Sequence, residues 1–192
     1  MSARYVIMGP QGSGKGTQAA RLSGRLGVPA ISTGDIFRSN VAEGTELGRT
    51  AKAIMDAGDL VPDEITNAMV RDRLARDDAR AGFILDGYPR NAAQVEELDR
   101  ILAEHDEALD AVIELVADRE ELLARLARRA ELEGRDDDTE EAIRRRLEVY
   151  AEQTAPLAEA YAARGLLVRV DGVGEVDAIT EQVAGALEAH AR

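Results

Sequence analysis

Short apolar runs alternate with longer amphipathic stretches along most of this chain. Runs rich in apolar residues predict β-strands at 5–8, 29–32, 83–86, 111–116 and 167–170. Between them, apolar residues recur every three or four positions and predict helices near 15–26, 35–57, 63–76, 91–104, 119–129, 139–163 and 176–190. Such alternation is typical of an α/β protein in which helices cover both faces of a parallel sheet. We therefore expect a three-layer α/β fold around a five-stranded parallel sheet.

Two helix starts carry the spacing of a capping box, with Asp in place of the usual Ser or Thr. These are Asp118 with Glu121, and Asp138 with Glu141. The second pair predicts where the long helix near 139–163 begins.

Two segments interrupt the simple alternation of strand and helix. The segment at about 32–61 holds two helical patterns, and the polar segment at about 128–138 contains Gly134. Both follow the carboxyl ends of predicted strands, where open α/β sheets bind ligands. We interpret them as moving parts attached to one domain that spans 1–192.

The net charge of the chain limits the classes of ligand that it can bind. The net charge is −13 among 192 residues, and of the basic residues only Lys15 and Lys52 are lysines. A field of this sign repels nucleic acid and anionic membranes, so neither is expected as a partner. A nucleotide would bind only where basic residues gather locally.

The expected cellular compartment is inferred from features that the sequence lacks. The chain has no Cys, which excludes disulfides and thiolate metal sites. No apolar stretch approaches the roughly 18 residues of a membrane span, and the first residues lack a signal-peptide pattern. We expect a cytoplasmic protein.

A glycine-rich loop follows the first strand and opens a helix, in the pattern G-x-x-x-x-G-K from Gly9 to Lys15. Glycines allow backbone N–H groups to point at phosphate oxygens, and the lysine reaches the β and γ phosphates. A turn that binds nothing would not explain Lys15. The predicted triphosphate site comprises Gly12, Ser13, Gly14, Lys15, Gly16 and Thr17. Gly16 stands where many NTPases carry the Ser or Thr that binds Mg²⁺, which argues against a direct metal ligand there.

Five stretches of the chain together resemble the adenylate kinase family over essentially its whole length. They are 9–18, Ser32-Thr33-Gly34-Asp35-Ile36-Phe37-Arg38, Asp56-Ala57-Gly58-Asp59-Leu60-Val61, Asp86-Gly87-Tyr88-Pro89-Arg90 with Gln94, and Gly134-Arg135-Asp136-Asp137-Asp138. The resemblance implies a P-loop NTPase-type fold with an AMP-binding helical insertion at about 32–61 and a short lid at about 128–138. It also implies a phosphotransferase that moves a phosphoryl group from ATP to AMP.

The resemblance assigns an acceptor-nucleotide site to three of these stretches. Thr33 would lie against the adenine and Arg38 would pair with the AMP phosphate; alternatively, Thr33 is a helix cap and Arg38 an exposed helix residue. The backbone of Asp59, Leu60 and Val61 would hold the base. The strand end supplies Asp86, Gly87, Tyr88, Pro89 and Arg90, with Asp86 in water-mediated contact with Mg²⁺ and Arg90 on the acceptor phosphate.

Gln94 bears on the choice of base. A carboxamide can accept a hydrogen bond from the adenine amino group while it donates to the adjacent ring nitrogen. The related UMP/CMP kinases resemble this chain at Asn91 but not in having Thr33 and Gln94 together. This combination favours AMP as the acceptor.

The lid region is rich in arginine: Arg125, Arg128, Arg129, Arg135 and 144–146. By resemblance Arg129 contacts ATP, and Arg135 and Arg146 reach the phosphates of both nucleotides, although arginine-rich helix faces are usually only solvated. Gly174 matches backbone that lies against the ATP adenine, with a plain turn glycine as the alternative. Asp136, Asp137 and Asp138 are interpreted as a solvated hinge. The short lid without Cys predicts no structural zinc and no metal held by the protein alone.

The expected reaction is reversible transfer of the ATP γ-phosphoryl group to AMP, giving two ADP, in a monomer. Mg²⁺ would be held mainly by substrate phosphates and water. Catalysis is expected from Lys15, Asp86, Arg90, Arg129, Arg135 and Arg146. The alternatives are a UMP/CMP kinase and a nucleotide-binding module without activity.

Overall fold

A computed structural model of the chain describes residues 3–133 and 139–191, with side chains for 3–129 and 139–191. Its strands are β1 (Ala3–Met8), β2 (Ala30–Ser32), β3 (Gly82–Asp86), β4 (Ala111–Val116) and β5 (Leu167–Asp171). Each predicted strand is present, with ends that differ by no more than two residues. The predicted α/β class and five-stranded parallel sheet are confirmed.

The strands lie in the order β2-β3-β1-β4-β5, so β1 is central. Ile7 of β1 pairs with Asp86 on one side and with Ile113 on the other. The chain therefore leaves β1 toward one half of the sheet and later returns to the other half. This reversal opens a crevice at the carboxyl ends of the strands, and the loop after β1 lies in it.

Helices connect the strands within the described residues. They are α1 (Lys15–Leu26), α2 (Thr33–Glu43), α3 (Glu46–Asp56), α4 (Asp63–Leu74), α5 (Ala92–Ala103), α6 (Arg119–Glu133), α7 (Glu140–Val149), α8 (Pro156–Ala163) and α9 (Val176–His190). A 3₁₀ turn covers Asp77–Ala79, and a π-helical turn covers Tyr150–Thr154. Across the stretches 3–133 and 139–191, none of the helices combines the length and apolarity needed to cross a membrane.

The sheet has an apolar core on each face. On one face Leu22 of α1 and Val183 of α9 pack with Ile113 of β4, and all three are fully buried. On the other face Leu98 of α5 and Tyr161 of α8 belong to a second cluster. The predicted three-layer arrangement is confirmed, and it places the carboxyl edge of the sheet between two layers of packed helices.

The two helical patterns predicted before the third strand are α2 and α3. They pack on each other around a small core formed by Phe37, Ala51 and Val61. This core shares no fully buried residue with the two clusters on the sheet.

The prediction of one continuous helix over 139–163 is wrong. The segment divides into α7, the π-helical turn and α8, and the Ala155 N–H donates to the Tyr150 carbonyl over 2.8 Å across the turn. Pro156 lacks an N–H group and cannot continue the regular bonding, so the helix widens by one residue immediately before it. A proline inside the predicted helix was the sequence signal for this break.

One predicted helix cap is confirmed and the other is displaced by one residue. The Glu121 N–H donates to Asp118 Oδ1 over 2.8 Å, as the capping-box spacing predicts. In α7, Thr139 is the cap and its hydroxyl accepts from the Ala142 N–H over 3.2 Å. Asp138, the predicted cap, lies outside the described residues. Asp and Thr side chains both suit the N-cap position, and α7 starts one residue later than the pattern indicated.

Candidate active site

A cleft of about 900 Å³ opens at the carboxyl ends of the strands. Every predicted site residue whose side chain the structure describes lines this cleft. They are Gly12, Ser13, Gly14, Lys15, Gly16, Thr17, Thr33, Arg38, Asp59, Leu60, Val61, Asp86, Gly87, Tyr88, Pro89, Arg90, Gln94, Arg129, Arg146 and Gly174. Arg135 lies outside the described residues. Residues from distant parts of the chain therefore share one cavity, as a two-substrate site requires.

The glycine-rich loop curls around the amino end of α1. Gly12 and Gly14 have φ angles of 88° and 93°, in the left-handed region that favours glycine. The Ser13 N–H donates to the Pro10 carbonyl over 3.1 Å, and Gly14 caps α1. The loop thus places backbone N–H groups and the positive end of a helix dipole beside the cleft, which is an anion-binding arrangement.

Lys15 carries its ammonium group into this environment. Its Nζ donates to the Pro10 carbonyl over 3.2 Å. Burial lowers the pKa of Lys15 below its ordinary value, and the positive charges of Arg90 and Arg129 lower it further, while Asp86 opposes the shift. The ammonium therefore lies within electrostatic reach of the Asp86 carboxylate and of the Arg90 and Arg129 guanidinium groups.

Arg90 connects this group to a second set of arginines. Its Nε donates to the Gly87 carbonyl over 2.8 Å. Burial lowers the pKa of Arg90, Asp86 acts in the opposite direction, and the neighbouring charges of Arg146 and Arg38 lower the pKa further. A cation whose pKa is lowered by burial and by neighbouring cations lies close to them in a poorly solvated space. Polyphosphate oxygens are the groups that would relieve this repulsion.

The hydroxyl of Ser13 is a second indication of a ligand in the loop. Its Oγ atom is buried and has no hydrogen-bond partner within the described residues. A buried polar atom of this kind costs free energy unless something pairs with it. A phosphate oxygen in the loop would accept its hydrogen bond.

Thr33 is not a helix cap, so that alternative is wrong. Ser32 caps α2, with its Oγ accepting from the Asp35 N–H over 3.2 Å. Thr33 is buried, and its hydroxyl donates to the Gly87 carbonyl over 3.0 Å. This bond joins the start of α2 to the loop after β3, on the side of the cleft that carries Arg90.

The Arg38 side chain is one-third exposed on α2 and forms an ion pair with Asp35 one turn earlier. It nevertheless lines the cleft, and its charge reaches Arg90. The alternative of a purely solvated helix residue therefore does not describe its position.

The Gln94 carboxamide is buried and fixed at both ends. Its Oε1 accepts from the Arg90 N–H over 2.7 Å, and its Nε2 donates to Asp63 Oδ1 over 2.8 Å. A carboxamide has two N–H groups and two lone pairs, so one of each remains for a ligand. The side chain lines the cleft with that remaining capacity.

A model of the family described as Adenylate kinase matches residues 7–166 of this chain. The chain belongs to the adenylate kinase family. It is 61% identical over 185 residues to an adenylate kinase of Kocuria rhizophila, covering 96% of this chain and 98% of that protein. An adenylate kinase of Thermobifida fusca is 60% identical over 188 residues, covering 98% and 100%. One of Leifsonia xyli is 59% identical over 182 residues, covering 95% and 92%.

Membership of the adenylate kinase family makes this chain a phosphotransferase. The lining of the cleft separates the arginines of the lid region into two groups. Arg125, Arg128, Arg129 and Arg146 line the cleft. Arg144 and Arg145 do not line it. The Arg144 guanidinium pairs with Glu140, and Arg145 Nε donates to Asp59 Oδ1 over 2.6 Å. The expectation of an exposed, solvated face therefore applies to the second group.

The cleft also contains a residue that the sequence pattern did not mark. Thr154, in the π-helical turn, donates its hydroxyl to the Arg90 carbonyl over 2.7 Å and lines the cleft. The backbone of Arg90 is therefore fixed by Gln94 at its N–H and by Thr154 at its carbonyl. Thr154 lies inside the predicted helix near 139–163, and the sequence pattern assigned it no role.

The residues at the adenylate kinase cleft fit a Mg²⁺ ion held largely by its substrate. In the described part of the chain, no three His, Asp or Glu side chains gather to hold a metal. Asp86 Oδ2 lies 3.6 Å from where a Cβ on Gly16 would sit, so one carboxylate faces the phosphate loop. One or two carboxylates with phosphates and water are the donor set that Mg²⁺ prefers. The predicted acidic hinge, Asp136, Asp137 and Asp138, lies outside the described residues.

Proposed function

We propose that this adenylate kinase transfers the terminal phosphoryl group of ATP to AMP, reversibly, giving two ADP in the presence of Mg²⁺. The observation that carries the proposal is the convergence of Lys15, Arg38, Arg90, Arg129 and Arg146 on one cleft in a chain of net charge −13. An ATP triphosphate that faces an AMP phosphate is a substrate pair that needs so much local positive charge.

ATP occupies the half of the cleft beside the phosphate loop in this proposal. The loop N–H groups and Lys15 bind its phosphates, Arg129 contacts them from α6, and Gly174 lies against the adenine. Two observations support this assignment. The Ser13 hydroxyl is buried and has no hydrogen-bond partner within the described residues, and the loop glycines adopt the left-handed backbone conformation.

AMP occupies the other half, between α2 and the loop after β3. Arg38 and Arg90 bind its phosphate, and the backbone of Asp59, Leu60 and Val61 holds the base. Gln94 reads the base through the one N–H and one lone pair that its protein partners leave. Arg135 from the lid and Arg146 from α7 complete the phosphate contacts.

The transfer is a direct in-line displacement between the two nucleotides. The acceptor oxygen of AMP is already anionic, so the reaction needs no strong general base. Lys15 and the arginines hold the phosphates in line and balance the charge that develops on the transferred group. Mg²⁺ would be held by the ATP phosphates and water, with Asp86 in water-mediated contact, and would neutralise charge at the ATP phosphates.

Water must be kept from the γ-phosphoryl group, since it competes with AMP as the acceptor. Closure of the insertion at about 32–61 and the lid at about 128–138 over the bound substrates would exclude it. Single-domain organisation over 1–192, a monomeric state and a cytoplasmic location remain predictions of the sequence.

A coupled assay with ATP and each monophosphate in turn tests the proposal. We expect ADP formation with AMP to exceed that with CMP and UMP by a wide margin, and little ATP hydrolysis without an acceptor. Preference for CMP or UMP would make the chain a pyrimidine nucleotide kinase. No transfer to any monophosphate would indicate a binding module without activity.

A further inference from the structure

Asp63 lies at the start of α4, outside every stretch that carries the family resemblance, yet two site amides converge on it. Its Oδ1 accepts from Gln94 Nε2 over 2.8 Å and from Asn91 Nδ2 over 3.0 Å. Asn91 in turn caps α5, with its Oδ1 accepting from the Gln94 N–H over 2.9 Å. One carboxylate thus connects α4 to both amide residues at the start of α5.

The Gln94 carboxamide has only one orientation that satisfies its partners. A carboxylate can only accept a hydrogen bond, so it requires the NH₂ end of the amide. The Arg90 N–H can only donate, so it requires the carbonyl end. A rotation of the amide by 180° would set oxygen against oxygen and N–H against N–H. Because Gln94 is 1% exposed, water would not relieve either clash.

This fixed orientation has a consequence for base choice. The lone pair left on Oε1 is suited to an amino group, and the N–H left on Nε2 is suited to an unprotonated ring nitrogen. Adenine presents this pair of groups on its Watson–Crick edge. Hypoxanthine presents the reverse pair, a carbonyl and a ring N–H, at the same positions.

The negative charge of Asp63 strengthens the discrimination. A carboxylate that accepts from one end of an amide polarises it and makes the carbonyl oxygen a better acceptor. The Gln94 oxygen therefore attracts an amino group more strongly and repels a base carbonyl more strongly.

We propose that Asp63 is a positioning residue for base choice, which fixes and polarises the Gln94 carboxamide so that the site accepts a 6-amino purine and rejects a 6-keto purine. The inference rests on the proposed role of Gln94 as the reader of the acceptor base. It adds a residue from α4 that does not line the cleft.

The test compares AMP with inosine monophosphate as acceptors for the full-length enzyme. The variant is Asp63→Asn, which keeps the size of the side chain and removes its charge. We expect the ratio of kcat/KM for AMP over that for inosine monophosphate to fall roughly tenfold, the factor that 1.4 kcal/mol represents. The change should lie in the KM for the monophosphate, with the KM for ATP retained. The matched control is Glu64→Gln, which removes an equal charge from an exposed position in the same helical turn and should leave the ratio unchanged.

Equal losses of kcat/KM for both acceptors would show that Asp63 only supports the fold and would overturn the inference. A ratio within twofold of the parent enzyme would do the same. Should Asp63→Asn not fold, Asp63→Ser keeps an oxygen that can accept a hydrogen bond, without the charge, and must also lower the ratio. Gln94→Ala separates the proposed role of Gln94 from that of Asp63. If the ratio is unchanged in Gln94→Ala, base reading by Gln94 itself is refuted. If the ratio falls in Gln94→Ala but is unchanged in Asp63→Asn, only the role of Asp63 is refuted.

Discussion

Replacing Thr154 with Val tests whether the π-helical turn positions Arg90. The two side chains have nearly the same shape, so the substitution removes a hydroxyl while the packing is kept. In the native protein this hydroxyl donates to the Arg90 carbonyl over 2.7 Å. Thr154 is 5% exposed, so water cannot take over the bond without opening the turn.

The size of the effect follows from this burial. A buried polar group that loses its partner costs about 1–3 kcal/mol, and for the partly buried bond to the Arg90 carbonyl we expect a loss of about 2 kcal/mol from the free energy of unfolding. If the Arg90 loop relaxes instead, the loss appears in substrate binding. A loss of about 1.4 kcal/mol there raises the KM for AMP about tenfold.

Urea unfolding followed by circular dichroism measures the first quantity, and initial rates of ADP formation at varied AMP measure the second. Thr154→Ser is the matched control, because it keeps the donor and loses one methyl group. It should retain the KM for AMP. Unchanged stability and an unchanged KM in Thr154→Val would refute the positioning role of this hydroxyl.

Three further predictions concern Lys15 and Gly58. Lys15→Met should lower kcat by at least about a hundredfold, without lowering Tm, since burial already disfavours the ammonium; near-normal turnover would contradict its role. Because burial lowers the pKa of Lys15, its ammonium group loses its proton as pH rises through a value below the ordinary 10.5. We therefore expect kcat/KM for ATP to begin to fall before pH 10.5 is reached. A value of kcat/KM that stays constant past pH 10.5 would contradict the role of the protonated Lys15. Gly58→Ala should destabilise the protein by about 1–3 kcal/mol, because φ is 82° and the new Cβ would lie 2.6 Å from the Ala142 carbonyl. Gly24→Ala, in open space on α1, should be neutral or stabilising in the same urea titration.

The sequence predicted the elements of the fold well because its patterns are local. Apolar runs gave all five strands, and the phosphate loop was recognisable from its glycines and Lys15 alone. The order of the strands was not predicted, since pairing depends on contacts between distant segments. The break before Pro156 was missed because the apolar stripe continues on both sides of it.

The site was predicted as a set of residues but not as a network. The resemblance gave the residues that face the cleft, and the structure places those that it describes around one cavity. The resemblance did not indicate that Asp63 binds the Gln94 side chain or that Thr154 binds the Arg90 carbonyl. Such contacts join residues that are 31 and 64 positions apart and leave no periodic trace in the sequence.

Simultaneous binding of two nucleotides is the central claim of this account, and calorimetry can test it directly. AMP is titrated into enzyme that has been loaded with Mg²⁺ and an ATP analogue whose β,γ bridge cannot be cleaved. We predict that one AMP binds to each loaded enzyme and that Arg90→Ala weakens this second binding event. Displacement of the analogue by AMP, with no complex that holds both, would contradict the claim.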